Sequence, residues 1–369
     1  MSSVGVMTFL HNDNYGSSLQ AYALQQVIRE MGHECEHIDY QPDKNEKIRN
    51  LLLSGNSPKL ILEGIRKREV LAGQAGARRK SNAIPDFYRR RMKLTPPCRN
   101  ANELKAQGKK YDILLCGSDQ VWNPVWLNPA YFLTCAGKDS RKIAYAASLG
   151  VSEPPPAAKV SKMRRWTEDF EAISVREQEG ADLMLEMTGK RPEVMPDPVC
   201  LLSAEEWSRI AEKPPEGEPY LLCYFIGEND EYWRMVRRLH EETGLRVLVM
   251  PVTAGSYWSG YELLDGVGPE GFLGAIQGAG CFCTDSFHGL AFGTIYGIRT
   301  ELLRRYSDDD PESKNSRVDH FRRLTKDKGA EILRRQGRGW LEVHLDKEKP
   351  VCLHRQTGDC YHSGAQASS

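Results

Sequence analysis

The sequence predicts an α/β protein made of two Rossmann-like domains facing across a cleft. Three observations carry this reading. Short apolar runs of strand length alternate with capped stretches of helix length, the pattern of parallel strands joined by helical crossovers. The alternation occurs twice, before and after Asp197-Pro198, and elements tend to end at the residue before a proline. At 369 residues the chain is long enough for two separate cores. The expected division is an N-terminal domain over 1–196, a second domain over 197–330 and a C-terminal extension over 331–369.

In the first half, 4–9 is an apolar strand. The loop Leu10-His11-Asn12-Asp13-Asn14-Tyr15-Gly16 leads into a helix over 17–31, with Leu19, Tyr22, Ala23 and Val27 on one face and Gly32 as its stop. Residues 34–40 form the next strand, completing a right-handed parallel unit. The loop lacks GxGxxG spacing, so no dinucleotide fingerprint is present. Its polar side chains and Gly16 suit a hydroxylated or anionic ligand, and a plain capped connection is the competing reading. Residues 66–93 are rich in arginine and lysine and are expected to be helical in two pieces, broken near Pro85. A solvated basic face accounts for them; contact with a membrane surface or a charged lipid carrier is the sharper alternative.

The strand 111–116 ends in Gly117-Ser118-Asp119-Gln120-Val121-Trp122-Asn123-Pro124. Ser118 and Asp119 could bind hydroxyls there and Trp122 could stack on a sugar face; an Asx-type turn with a packed tryptophan is the alternative. Strands at 142–148, 172–175 and 192–195 then alternate with helices at 157–170 and 178–187. Arg176 closes the strand 172–175. A guanidinium at that place is a fixed cation with a planar donor fork, suited to carboxylate or phosphate. A weak surface pair with Glu177 is the bland reading.

The second half repeats the pattern, with strands at 220–226, 246–250, 281–284 and 298–303 and helices at 230–243 and 270–277. The strand 281–284 runs into a helix capped by Asp285 and Ser286 and stopped by Gly297. His288 therefore lies in a first helical turn at the carboxyl edge of a strand, where the amides of 287–289 and the helix dipole favour an anion. A packed, satisfied histidine is the competing reading. Asn315-Ser316-Arg317 precedes a last helix over 318–325.

Composition excludes several classes. Lysine plus arginine and aspartate plus glutamate number 50 each, so charge predicts no nucleic-acid partner. No signal peptide and no membrane span are expected, and the 10 cysteines fit a reducing compartment, so a soluble cytoplasmic location follows. On the alternative of membrane contact, the basic segment would bring it to the inner face of the membrane. Cys352, His354, Cys360 and His362 have soft-ligand chemistry but not the usual structural spacing, so no metal is expected.

Several motifs together resemble the polysaccharide pyruvyl transferase family. They are Asp13-Asn14-Tyr15-Gly16 with Leu19-Gln20-Ala21-Tyr22-Ala23-Leu24, then Gly117 to Pro124, Ile143-Ala144-Tyr145-Ala146-Ala147-Ser148 and Ser174-Val175-Arg176-Glu177. Asp197-Pro198, Thr284 to Gly289 and Asn315-Ser316-Arg317 follow in order. The resemblance implies a GT-B-like pair of domains. It implies phosphoenolpyruvate as co-substrate, no cofactor, and a sugar or lipid-linked oligosaccharide with a hydroxyl pair as acceptor. The products would be a cyclic pyruvate ketal and phosphate. By analogy Arg176 and His288 hold or activate the donor.

The chemistry makes the same demands. A small trianion needs a guanidinium and oriented amides, here Arg176 with Ser286, Phe287, His288 and Gly289. Ketal formation needs an acid–base group, for which His288 is best placed. The developing cationic carbon needs a negative charge, from Asp285 or Asp119. Asn14, Tyr15, Gly16, Ser118, Asp119 and Trp122 are assigned to the acceptor side. A nucleotide-sugar glycosyltransferase and a non-catalytic sugar-binding or assembly protein are the rival functions on the same fold.

Overall fold

The computed structural model describes residues 1–55, 75–305 and 315–346. Two all-parallel sheets organise them. The first holds β1 (Ser3–Met7), β2 (Glu34–His37), β3 (Ile113–Cys116), β4 (Arg141–Ala147), β5 (Ala172–Val175) and β6 (Glu193–Val194), in the order β2-β1-β3-β4-β5-β6. The second holds β7 (Tyr220–Tyr224), β8 (Arg246–Met250), β9 (Glu262–Leu263), β10 (Ala279–Thr284) and β11 (Thr300–Leu302), in the order β11-β10-β7-β8-β9. The described helices are α1 (Tyr15–Glu30), α2 (Lys44–Ser54), α3 (Ala75–Arg91), α4 (Ala101–Gly108), α5 (Ala157–Thr167), α6 (Gln178–Thr188), α7 (Ala204–Ser208), α8 (Asp230–Thr243), α9 (Ala254–Tyr257), α10 (Pro269–Gln277), α11 (Phe287–Ile295) and α12 (Asn315–Leu345). The two-sheet α/β fold read from the sequence is the fold observed. β3 and β7 are buried along their whole length, as strands covered on both faces must be.

Strand order reverses between β1 and β3 in the first sheet, and between β7 and β10 in the second. At such a point neighbouring crossovers leave toward opposite faces and open a crevice beyond the carboxyl ends of the strands. The loops leaving β1, β3 and β10 carry Asn14, Ser118 with Asp119, and Asp285 with Ser286.

One apolar core runs through both sheets. Val4, Leu19 and Leu24 of the first half share it with Phe272, Leu290 and Phe292 of the second. Tyr15 is the clearest link. Its ring stacks on Phe272 at 4.8 Å and its hydroxyl donates to the Val267 carbonyl at 2.9 Å.

Three sequence expectations are corrected. Pro85 does not break the basic helix; it lies inside α3. Ile84, Phe87 and Tyr88 lie on one face and are fully buried, and that burial outweighs one lost backbone hydrogen bond. The basic segment is also not simply a solvated face. Arg90 and Arg91 reach the buried Glu270 of α10 at 2.5 and 2.8 Å. Arg66, Lys67 and Arg68 lie outside the described residues. Finally, the last helix does not stop at 325. α12 continues to Leu345 through a break at Gly329, where φ is 73°. Its second half packs on the first sheet: Trp340 meets Tyr145 at 5.6 Å, and Arg141 donates to the His344 and Leu345 carbonyls. Among the described residues no helix is long and apolar enough to cross a membrane.

A shared core predicts shared unfolding. Tyr15→Ala should cost about 3–5 kcal/mol, the range for a buried aromatic truncated to alanine. In urea both halves should melt in one transition, read by tryptophan fluorescence and far-UV dichroism. Two separated transitions in the wild-type protein would contradict the continuous core.

Candidate active site

The site is built around Asp197, which follows β6. Its Oδ1 accepts from the Val199 amide at 3.1 Å, capping the short turn Pro198–Leu201. Its Oδ2 accepts from Arg176 Nη1 at 2.6 Å and lies 3.5 Å from His288 Nε2. Ser118 Oγ is 3.3 Å from the same oxygen. Arg176 sits just beyond β5 and His288 in the first turn of α11, so both sheets contribute to one carboxylate. All four residues are buried. Burial alone would raise the Asp197 carboxyl. The facing His288 and Arg176 and the Val199 amide outweigh burial and hold it well below the usual carboxylate range. Burial works against the Arg176 charge too, and the carboxylates of Asp197, Glu177 and Asp119 keep it firmly protonated.

The guanidinium makes one hydrogen bond, from Nη1 to Asp197, and two looser contacts hold it further. The Phe287 ring lies 4.6 Å from it, a cation–π contact from the other domain. Its Nε is 3.7 Å from Glu177 Oε2, an ion-pair separation without a hydrogen bond. Glu177 is itself fixed, because Oε1 accepts from Ser148 Oγ and from the Leu149 and Gly150 amides. The surface pair offered as the bland reading is therefore incorrect: both partners are buried. Arg176 Nη2 and His288 Nε2 are buried with no hydrogen-bond partner among the described residues.

The His288 ring rests against α1. A Cβ added at Gly16 would lie 2.0 Å from His288 Nδ1, so only glycine lets the imidazole occupy this place. Thr284 and Ser286 form the turn into α11. Ser286 Oγ accepts from the Gly289 amide at 3.3 Å, and the Ser286 carbonyl takes the Leu290 amide. Of the four amides that open a helix, those of Phe287 and His288 then remain for other acceptors.

Several expected acceptor residues are placed otherwise. Trp122 is fully buried, stacked on Phe132 at 5.1 Å and donating Nε1–H to the Tyr131 carbonyl. It is core rather than a sugar platform, because its ring faces the aromatic layer under the first sheet. Tyr15 belongs to the interdomain core, as described above. Asn14 caps α1 by accepting from the Gly16 and Ser17 amides. Ser118 hydrogen-bonds the Ala146 carbonyl and lies against Asp197, which makes it part of the carboxylate's seat. Asp119 holds a left-handed φ of 72° and accepts from Ser17 Oγ and the Gln120 amide. Asp285 is likewise corrected. Its carboxylate accepts from the Ile226 and Gly227 amides and from Arg305 Nε, which ties the loop after β7 to α11 and occupies both of its oxygens.

Sequence reading did not name Asp197 as a site residue, taking Asp197-Pro198 as a domain change and as one motif of the family resemblance. The available signal was an acid placed directly before a proline at the end of an apolar strand. Among the described residues no group of three or more histidines, cysteines and carboxylates is arranged to hold a metal ion. Cys352, His354, Cys360 and His362 lie outside the described residues, as does the turn at 308–311.

The family model described as polysaccharide pyruvyl transferase matches residues 14–300. The chain belongs to the polysaccharide pyruvyl transferase family. As a member it is a transferase of polysaccharide biosynthesis, and the match covers every residue that meets at Asp197. No curated protein matches the chain. Among solved structures, the UDP-GlcNAc 2-epimerase of Neisseria meningitidis bound to UDP-GlcNAc is similar at 8% identity and TM-score 0.51, over 93% of this chain and 98% of that one. The UDP-GlcNAc 2-epimerase of Methanocaldococcus jannaschii is similar at 9% identity and TM-score 0.48, over 93% and 99%. At such identity the likeness to the first shows a common fold of two Rossmann-like halves.

Two outcomes test this geometry. Asp197→Asn leaves the buried Arg176 without its hydrogen-bonded counter-charge and should destabilise the pyruvyl transferase family member by about 3–5 kcal/mol in denaturant. Because Asp197 titrates lower folded than unfolded, the unfolded chain binds its proton first. The stability it contributes is complete above about pH 5 and is lost as pH falls. The variant should therefore show a shallower loss of stability in acid, and equal acid profiles would contradict the ion-paired state. Trp122→Ala should cost about 3–5 kcal/mol as a core truncation; a stability equal to wild type would return Trp122 to the surface.

Proposed function

We propose that the protein transfers the pyruvyl group of phosphoenolpyruvate to a pair of hydroxyls on a sugar acceptor. The products are a cyclic pyruvate ketal and phosphate. One observation carries the reading: Arg176 and His288 meet at Asp197 Oδ2 from the two halves of the fold, and the buried Arg176 Nη2 and His288 Nε2 make no hydrogen bond among the described residues. Buried polar atoms are nearly always hydrogen-bonded, so such a pair calls for an anionic ligand. A compact acid carrying both carboxylate and phosphate matches a guanidinium edge, an imidazole and two helix-start amides.

The electrostatics favour a reaction over simple storage of an anion. Asp197 neutralises much of the Arg176 charge, so the donor is held chiefly by directed donors. As the methylene carbon is protonated, positive charge develops on the neighbouring carbon. Asp197 supplies the negative charge there, in the role first expected of Asp285 or Asp119. His288 gives the proton to the methylene. The atoms balance without a further reactant: of the two acceptor hydroxyl protons, one ends on the new methyl group and one leaves with phosphate.

A cavity of about 440 Å³ at the carboxyl edge of the second sheet weighs against a nucleotide-sugar donor. Its lining includes Glu228, Asp230, Asn229 and Trp233 and, among the described residues, no lysine or arginine. Carboxylates in that position repel a pyrophosphate.

The direct test is phosphate release from phosphoenolpyruvate in the presence of free and lipid-linked sugars, with pyruvate incorporation read by mass. His288→Ala should lower turnover by about 10² to 10⁴-fold while leaving the fold intact. Arg176→Lys should raise the KM for phosphoenolpyruvate, since a lysine cannot reproduce the planar fork. Turnover with a nucleotide sugar and none with phosphoenolpyruvate would overturn the proposal.

A further inference from the structure

We propose that His11 and Asp39 form a second acid–base centre, which takes the proton from the acceptor hydroxyl that attacks the donor. This assignment rests on the pyruvyl-transfer reading, and it names a base on the acceptor side that the reading leaves open. His288, as the acid for the methylene carbon, enters the reaction protonated. A protonated imidazole cannot also accept the first hydroxyl proton, so the addition needs a base elsewhere.

His11 lies in the loop leaving β1, at the point where the first sheet reverses its order. Its backbone adopts a left-handed φ of 48°, a conformation that side-chain-bearing residues rarely adopt outside constrained sites. Its Nε2 pairs with Asp39 Oδ1. Asp39 is buried and cannot swing away. Its Oδ2 accepts from Gln41 Nε2 at 2.8 Å, its amide donates to Thr95 Oγ1 at 3.0 Å, and its carbonyl accepts from the Cys98 amide at 2.7 Å. The His11 side chain is 35% exposed, and no described residue hydrogen-bonds its Nδ1. A carboxylate thus fixes one ring nitrogen while the other is left without a hydrogen bond among the described residues, the arrangement of a general base with its orienting acid.

The dyad belongs to the same loop and helix start as the donor site. Asn12 Nδ2 donates to Ser17 Oγ at 3.0 Å, and Ser17 bonds Asp119. The neighbouring Gly16 abuts the His288 ring. Beside the Asp39 that it pairs with, just past β2, the His11 ring faces Tyr88 of α3 with centroids 6.3 Å apart, and the Tyr88 hydroxyl in turn feels the carboxylates of Asp13, Asp39 and Asp119. His288 and His33 also face carboxylates, Asp197 and Asp346, but His288 belongs to the donor site and His33 lies at the opposite edge of the sheet; His37 is fully buried on the Ala21 carbonyl.

The step balances as follows. The acceptor O–H bond breaks and its proton goes to His11 Nδ1. The oxygen's electron pair forms a C–O bond to the donor carbon, and the carbon–carbon π electrons take the proton from His288. The second hydroxyl then displaces phosphate, whose leaving oxygen carries away the remaining proton, and proton exchange with bulk water returns His11 to its neutral and His288 to its protonated form.

The test uses the full-length protein with phosphoenolpyruvate and the methyl glycosides of hexoses and N-acetylated hexosamines, free and lipid-linked. His11→Ala should lower kcat by about 10² to 10⁴-fold, leave calorimetric phosphoenolpyruvate affinity unchanged, and regain turnover when imidazole is added. Asp39→Asn should lower kcat less than His11→Ala, again without changing donor affinity. Wild-type turnover in His11→Ala, or a loss that imidazole does not restore, would overturn the dyad's role and leave the donor site standing. If the wild-type protein neither binds nor consumes phosphoenolpyruvate, the donor reading fails and this assignment falls with it.

Discussion

A single carboxylate oxygen, Asp197 Oδ2, holds the two halves of the site in register. It receives Arg176 from the end of β5, lies against Ser118 from the end of β3, and faces His288 from the start of α11. Three chain segments far apart in sequence thereby acquire one electrostatic centre. Because Asp197 is buried, its charge is unscreened by water and its partners are fixed in place before any ligand arrives. The apolar counterpart is α1, whose Tyr15 stacks into the second domain while Gly16 makes room for the imidazole. The same helix start therefore joins the domains and shapes the site.

Three neighbouring acids show how position divides labour among similar side chains. Glu177 gathers the loop after β4 through two amides and a hydroxyl. Asp285 gathers the loop after β7 and is covered by Arg305. Only Asp197 faces both a guanidinium and an imidazole. The first two rigidify the supports; the third sets the charge at the point where both domains converge. Such a division keeps the reactive groups on strand ends and helix starts, where small displacements are resisted by the whole sheet.

Much of this architecture was legible in the chain. The alternation of buried runs and capped helices gave two parallel sheets, and the positions of Arg176 and His288 at the carboxyl edges of strands gave both sides of the centre. What was not legible was partner choice. A tryptophan after a polar turn reads the same whether it faces a sugar or Phe132, and Asp285 reads the same whether it faces a substrate or the Ile226 amide. Those facts depend on contacts about 60 residues or more away in sequence, or on which face of a sheet a loop covers. Pro85 misled because local propensity argues for a break while burial of its neighbours decides otherwise. The extension of α12 was hidden by its charge-rich composition and by Gly329, which ends one helical piece and begins another.

The claim that both domains close on one small acid is tested most directly by a crystal soaked with phosphoenolpyruvate. The account predicts the acid's oxygens within hydrogen-bonding distance of Arg176 Nη2 and of His288 Nε2, with Asp197 still between them. Density for the acid elsewhere, with both groups untouched, would contradict it.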